Sequence, residues 1–187
     1  RCQRCQAPIP AIYPFMEAVT GLIFGVLAWK VGLSIELIIG WFFISVLIIA
    51  VQTDLRARII PNKLTYFAIF AGLLLRLWHP LQPWWDHAAA GLAAGGVFFL
   101  LAVLSKGGIG GGDIKLFIFI GFMLGVPQTA LTIFFSCLLG TLYGIGLWLT
   151  GRYKRGMQVP FAPFIAAGSL IIYLWGKELI EMYVDLF

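Results

Sequence analysis

The chain has 187 residues, of which 61% are apolar and only 11% charged, whereas an average soluble domain is about half apolar and about a quarter charged. With a mean hydropathy of +0.96, that balance excludes a water-soluble globule and a disordered chain, leaving an integral membrane protein. The formal net charge of +5 then reports basic loops that fix orientation rather than a nucleic-acid surface, so no nucleic-acid partner is expected.

The chain opens at Arg1 on a Cys-x-x-Cys, without an initiating Met. It therefore reads as the interior or C-terminal piece of something longer, and no small-residue cleavage site follows its first apolar stretch. Residues 1–12 form a cysteine segment, and residues 13–187 form one membrane domain. A helix crossing the hydrocarbon layer of about 30 Å needs about 20 mostly apolar residues. Seven stretches are candidates in chain order: Tyr13–Trp29, Ser34–Gln52, Lys63–Trp78, Asp86–Leu104, Ile114–Gly125, Gln128–Thr150 and Phe161–Ile180. The fifth is short for a full crossing and either tilts little, thins the bilayer or extends into the glycine-rich loop before it. Runs of this kind are not the ten-residue alternation of a barrel, so the expected fold is all-α, a polytopic transmembrane helix bundle. The small residues Ala88 to Gly96 on the fourth span invite close helix approach.

The basic residues orient these spans. With Arg1 and Arg4 in the cytoplasm and seven alternating crossings, Arg56, Arg58, Lys63, Lys106, Lys115, Arg152, Lys154 and Arg155 also fall inside, while Lys30, Arg76 and Lys177 fall outside. Glu36, Asp86, Glu178, Glu181 and Asp185 sort to the far side, where a solvated rim accounts for them. Asp54 and Asp113 differ, because each sits where an apolar helix meets a cytoplasmic loop, and an acid at that depth is a functional candidate by default.

Asp54 closes the second span and Asp113 opens the fifth, so the topology puts both at one membrane face. Two carboxyl groups in contact share one proton and titrate as a unit. The ionised member activates water, while the protonated one polarises a peptide carbonyl and the pair later protonates the leaving amine. That is aspartyl peptide hydrolysis, and which aspartate holds the proton stays open. Ahead of Asp113, Gly107, Gly108, Gly110, Gly111 and Gly112 offer little bulk and access to positive φ, allowing close backbone approach. A plain flexible loop would look the same, but a phosphate-binding loop lacks its Lys and Ser/Thr here.

Gly110-Gly111-Gly112-Asp113 resembles the Gly-x-Gly-Asp motif of membrane-embedded aspartyl proteases, and its extension Ile114-Lys115-Leu116 is similar to that of bacterial type IV prepilin peptidases. The segment Asp54 to Thr65, with Ile60-Pro61-Asn62 and Leu64-Thr65, resembles the surroundings of that family's first catalytic aspartate. The opening Cys2-Gln3-Arg4-Cys5, followed by Pro8, Pro10, Tyr13-Pro14 and Glu17, resembles its cytoplasmic cysteine segment. The resemblance implies an endopeptidase of the bacterial inner membrane, with its active site facing the cytoplasm. It would remove the basic leader of type IV prepilins or pseudopilins, with Asp54 and Asp113 catalytic. Gly110, Gly111, Gly112 and Lys115 would bind substrate or shape the loop.

The resemblance also implies methylation of the new amino terminus with S-adenosylmethionine, and a structural zinc site. The family's zinc site uses two Cys-x-x-Cys pairs, whereas this chain has Cys2 and Cys5 alone, half of a four-ligand shell. An upstream segment of the same protein or another chain would supply the rest, unless a single pair serves. Glu17 is a candidate for methylation chemistry, for holding the cysteine segment, or for an ordinary interfacial acid. Lys115 is expected near Asp113, where it would lower that carboxyl's pKa, bind a carbonyl or simply anchor the cytoplasmic face. Cys137 reads as a small core residue, and His79 and His87, beside Trp84 and Trp85, as an interfacial belt. Pro160 and Pro163 mark a broken helix start near the active face. Two rival functions fit the aspartates: an intramembrane protease cutting transmembrane helices, and a proton-coupled transporter, which would place its acids near the midplane.

Overall fold

A computed structural model describes residues 12–106, 108–152 and 159–185. The described residues form seven α-helices and no strand: α1 Ile12–Val31, α2 Ile35–Ala57, α3 Asn62–Trp78, α4 Trp84–Leu104, α5 Gly111–Leu124, α6 Val126–Leu149 and α7 Ala162–Val184. Five of them, α1, α2, α4, α6 and α7, are long and apolar enough to cross a membrane. The fold is a polytopic helical one, as composition and run length require.

Two compact units divide the chain between Phe42 and Phe43. In the first, Gly32 ends α1 at φ +72°, a left-handed conformation that glycine adopts without strain. The Ser34 hydroxyl accepts from the Leu37 N–H at 3.4 Å as α2 begins. Trp41 stacks on Phe24 with centroids 5.6 Å apart, tying α2 back to α1.

The second unit holds the rest of α2 and helices α3 to α7, with α5 at its centre. Leu116, Phe117 and every residue from Phe119 to Leu124 are buried. Helix α5 packs mainly on α4 and α3, and α6 packs on α7. The α4–α5 contact is backbone against backbone: a Cβ at Gly121 would stand 2.6 Å from the Gly91 Cα, and one at Gly95 would stand 2.6 Å from the Ile118 side chain. The small residues of the fourth span thus do what their size allows. Beside them Phe98 and Phe117 stack at 4.0 Å. Across the bundle Phe43 of α2 meets Phe119 at 5.5 Å and Tyr173 at 5.3 Å.

The short fifth element resolves as a core helix. Its 14 residues span about 21 Å at about 1.5 Å per residue, well short of the hydrocarbon thickness. Its extension into the glycine run reaches Gly111 only. At its other end a polar clamp holds the α5–α6 turn. Arg76, 1% exposed, donates through Nε to the Met123 carbonyl at 2.8 Å, and Asp86 Oδ2 accepts from the Val126 N–H at 2.9 Å. Asp86 is therefore a cap for α6 rather than an unengaged member of a solvated rim. Trp84 and Trp85 are exposed, whereas His87, expected beside them in an interfacial belt, is buried and accepts from the Gln82 N–H at 3.3 Å through Nε2.

Candidate active site

Asp54 lies in the last turn of α2 and is 7% exposed. Its Oδ2 accepts a hydrogen bond of 3.0 Å from the N–H of Ala162, the first residue of α7. The leading N–H groups of a helix have no partner inside it, and Phe161 at the α7 N-cap supplies no side-chain bond. A carboxylate from a distant helix fills that place. The pair Pro160 and Pro163 explains the geometry, since proline suits the first turn of a helix and breaks the chain before it.

Asp113 stands in the first turn of α5, ahead of the apolar run that begins at Ile114. Its own N–H bonds the Gly110 carbonyl at 3.0 Å. Burial first, and the negative charge of Asp54 second, push the Asp113 carboxyl up from 3.8 to about 6. Both directions are physical: low polarity disfavours the charged form, and so does a like charge nearby.

Asp54 and Asp113 line the same cavity of about 640 Å³, together with Arg58, Gly108, Ile109, Gly110, Phe98, Leu101, Cys137, Val159, Pro160 and Phe161. They also share a second hollow of about 300 Å³ with Arg58, Ile59, Ile60, Asn62, Gly110, Gly111, Gly112 and Lys115. A cavity with two carboxyl groups, a glycine edge and an apolar wall has room for an extended peptide flanked by an apolar segment.

The glycine run works through bulk, not through backbone handedness. Among the described residues, positive-φ glycines occur at Gly32, Gly125 and Gly151, and Gly110 has φ −68°, so the expected access to positive φ is not used there. A Cβ at Gly112 would stand 2.9 Å from Ile60 Cβ, and one at Gly110 would stand 3.1 Å from Asp113 Oδ2, whereas Gly111 faces open space. Gly112 lets the start of α5 close on the segment after Asp54. Gly107 lies outside the described residues.

Lys115 reaches across to α3, where its Nζ donates to Asn62 Oδ1 at 2.6 Å and sits 4.5 Å from the centre of the Tyr66 ring. It does not pull the Asp113 pKa below the usual carboxylate value, because that carboxyl is raised. Cys137 is exposed and lines the cavity, so it is no core filler. Glu17 is exposed on α1, in the other compact unit. Cys2 and Cys5 lie outside the described residues, and among the described ones no group of three or more His, Cys, Asp or Glu side chains could hold a metal.

Sequence reasoning missed the Ala162 N–H, the apolar wall of Phe98, Leu101 and Phe161, and the Asn62 partner of Lys115. The proline pair at 160 and 163 was the one available signal for the first of these.

Comparison with known proteins gives concordant matches. Residues 41–145 match the type IV leader peptidase family, and residues 1–31 match the bacterial peptidase A24 N-terminal domain. A protein of Bacillus subtilis (strain 168) named prepilin leader peptidase/N-methyltransferase is 43% identical over 187 residues, covering 100% of this chain and 75% of that relative. Proteins of the same name from Aeromonas salmonicida (strain A449) and Neisseria gonorrhoeae are both 31% identical, over 99% and 92% of this chain. The chain spans 65% and 61% of those two relatives. No solved structure matches.

Proposed function

The chain belongs to the type IV leader peptidase family, and on that premise we propose that it removes the basic leader of type IV prepilins or pseudopilins with an Asp54–Asp113 dyad at the cytoplasmic face. One observation carries the dyad: the two aspartates line one cavity, and the Asp54 charge helps push the Asp113 carboxyl up to about 6. The upward shift of the Asp113 carboxyl supports its holding the shared proton. Asp54, held by the Ala162 N–H, is then the base.

Asp54 takes a proton from water as the oxygen attacks the scissile carbonyl carbon, and Asp113 gives its proton to the carbonyl oxygen. The tetrahedral diol collapses with breakage of the C–N bond. Asp54 passes its acquired proton to the leaving amine, and Asp113 recovers one from the diol, restoring the starting state. The positive leader suits the basic-residue orientation only if it lies among anionic head groups, which attract it electrostatically. The apolar helix of the substrate lies along the bundle. The relatives' name also supports methylation of the freed amino terminus, with S-adenosylmethionine as methyl donor. The lining of the dyad cavity, two carboxyl groups and an apolar wall, suits a peptide and not that cofactor's sulfonium, ribose and amino-acid arms together.

The test is cleavage of a pilin precursor by purified protein in vesicles. Asp54→Asn and Asp113→Asn each abolish the cut while leaving membrane insertion intact, and wild-type kcat declines as pH rises through about 6 and Asp113 loses its proton. Full activity of either variant overturns the dyad. A cut inside the apolar helix marks an intramembrane protease instead, and proton flux without any cut marks a transporter.

A further inference from the structure

We propose that the seam between α4 and α6 receives the apolar helix of the precursor, the part that follows the scissile bond, and that this helix enters sideways from the bilayer. The proposal rests on the reading that Asp54 and Asp113 cut the leader, because that reading fixes where the apolar helix begins.

Helices α4 and α6 meet at the end of the unit remote from the aspartates, where Asp86 in the first turn of α4 accepts from the N–H of Val126, the first residue of α6. Toward the aspartates the dyad cavity parts them, with Phe98 and Leu101 of α4 on one side and Cys137 of α6 on the other. Phe98 comes twelve residues after Asp86 and Cys137 eleven after Val126, rises of about 18 and about 16 Å at about 1.5 Å per residue. The two walls therefore stand at matching heights. Helix α6 has 24 residues, so Cys137 lies near the middle of a helix long enough to cross the membrane. From its glycine edge at Gly108 and Gly110 the cavity thus reaches down to the middle of a spanning helix. Both walls open at the bundle surface, since Leu101 is 43% exposed and Cys137 is exposed. Val97 and Leu104 continue the Leu101 face of α4, Phe134 continues the Cys137 face of α6, and all three are exposed.

The chemistry of the walls selects the occupant. No charged residue occurs in α6, or in α4 beyond its first turn. The second hollow at the aspartates is lined instead by Arg58, Asn62 and Lys115, polar groups that an apolar helix would strip of water without replacing their hydrogen bonds. Residues following the scissile bond therefore leave the dyad on the α4–α6 side. Entry there keeps the helix in lipid throughout, and no apolar surface has to pass through water. A lipid acyl chain would meet the same walls, but it would bring no peptide bond to the aspartates.

The full chain carrying Cys2→Ser, Cys5→Ser and Asp54→Asn is reconstituted in vesicles with a pilin precursor bearing a single cysteine, walked along the first turns after the scissile bond. A short bismaleimide should join Cys137 to precursor positions that recur every three or four residues, the spacing of one helix face. The same protein with Cys137→Ser and Phe70→Cys, whose new cysteine replaces an exposed ring on α3, should give no such pattern. In the active enzyme Cys137→Trp fills the seam and raises KM for the precursor about tenfold or more, whereas Phe70→Trp leaves it within about twofold. Cross-links at Cys137 no stronger than at position 70, or without helical spacing, mean that lipid alone fills the seam and overturn the proposal. An inserted Cys137→Trp protein with wild-type KM overturns it as well. If Asp54→Asn still cuts, the dyad reading falls and takes the seam with it; loss of the cut without the cross-links sinks the seam alone.

Discussion

At the scale of single residues, Asp113 is held at a cost to the fold. Its carboxyl is raised to about 6 by burial and by the neighbouring Asp54 charge, so between the unfolded value near 3.8 and that figure the native state binds more protons than the unfolded chain. Stability therefore falls as pH rises through this window, and above about 6 the native protein carries two ionised carboxylates at one cavity. Asp113→Asn removes the second charge while keeping the shape. It should melt higher than wild type at pH 8, with the gap closing as pH drops toward 4, as scanning fluorimetry of the detergent-solubilised protein would show. A gap that is the same at every pH would mean that Asp113 does not titrate in that window. Gly112 is a complementary case: it is small because Ile60 stands where a Cβ would go.

At the scale of elements, the α5–α6 turn separates structural work from chemistry. Asp86 caps α6 through the Val126 N–H, and losing such a cap costs about 1 kcal/mol. Asp86→Ala should lower the thermal midpoint while kcat on a pilin precursor stays at the wild-type value, because Asp113 lies at the opposite end of α5. Asp86→Asn, which keeps an acceptor, should lose less. This cap was invisible in the sequence, where Asp86 looked like one more acid at a membrane rim. The helices themselves were legible: run length placed the boundaries of α1, α3 and α4 within two residues of those observed. Asp54 and Asp113 were legible too, since charge inside an apolar chain is conspicuous. What stayed hidden were contacts between distant helices, such as Ala162 with Asp54 and Asn62 with Lys115. These depend on how helix faces meet and leave no period in the chain. The low exposure of α5 also escaped, because a continuous apolar run looks the same whether lipid or protein surrounds it.

At the scale of the whole molecule, the orientation drawn from basic residues has a direct test in Cys137, which is exposed and borders the dyad cavity. In a variant with Cys2→Ser and Cys5→Ser, a membrane-impermeant maleimide should label Cys137 in inverted vesicles and not in intact cells, and a bound pilin precursor should slow the labelling. Labelling from the outside alone would reverse the topology. The enclosure of α5 bears on the host membrane. Its buried flanks touch protein on nearly every side, so the helix carrying Asp113 is free of the length matching that bilayers impose on lipid-facing spans. Thinner or thicker membranes would be accommodated by tilt in the spanning helices, so protein packing sets the place of Asp113 while Asp54, on the spanning α2, answers to the bilayer.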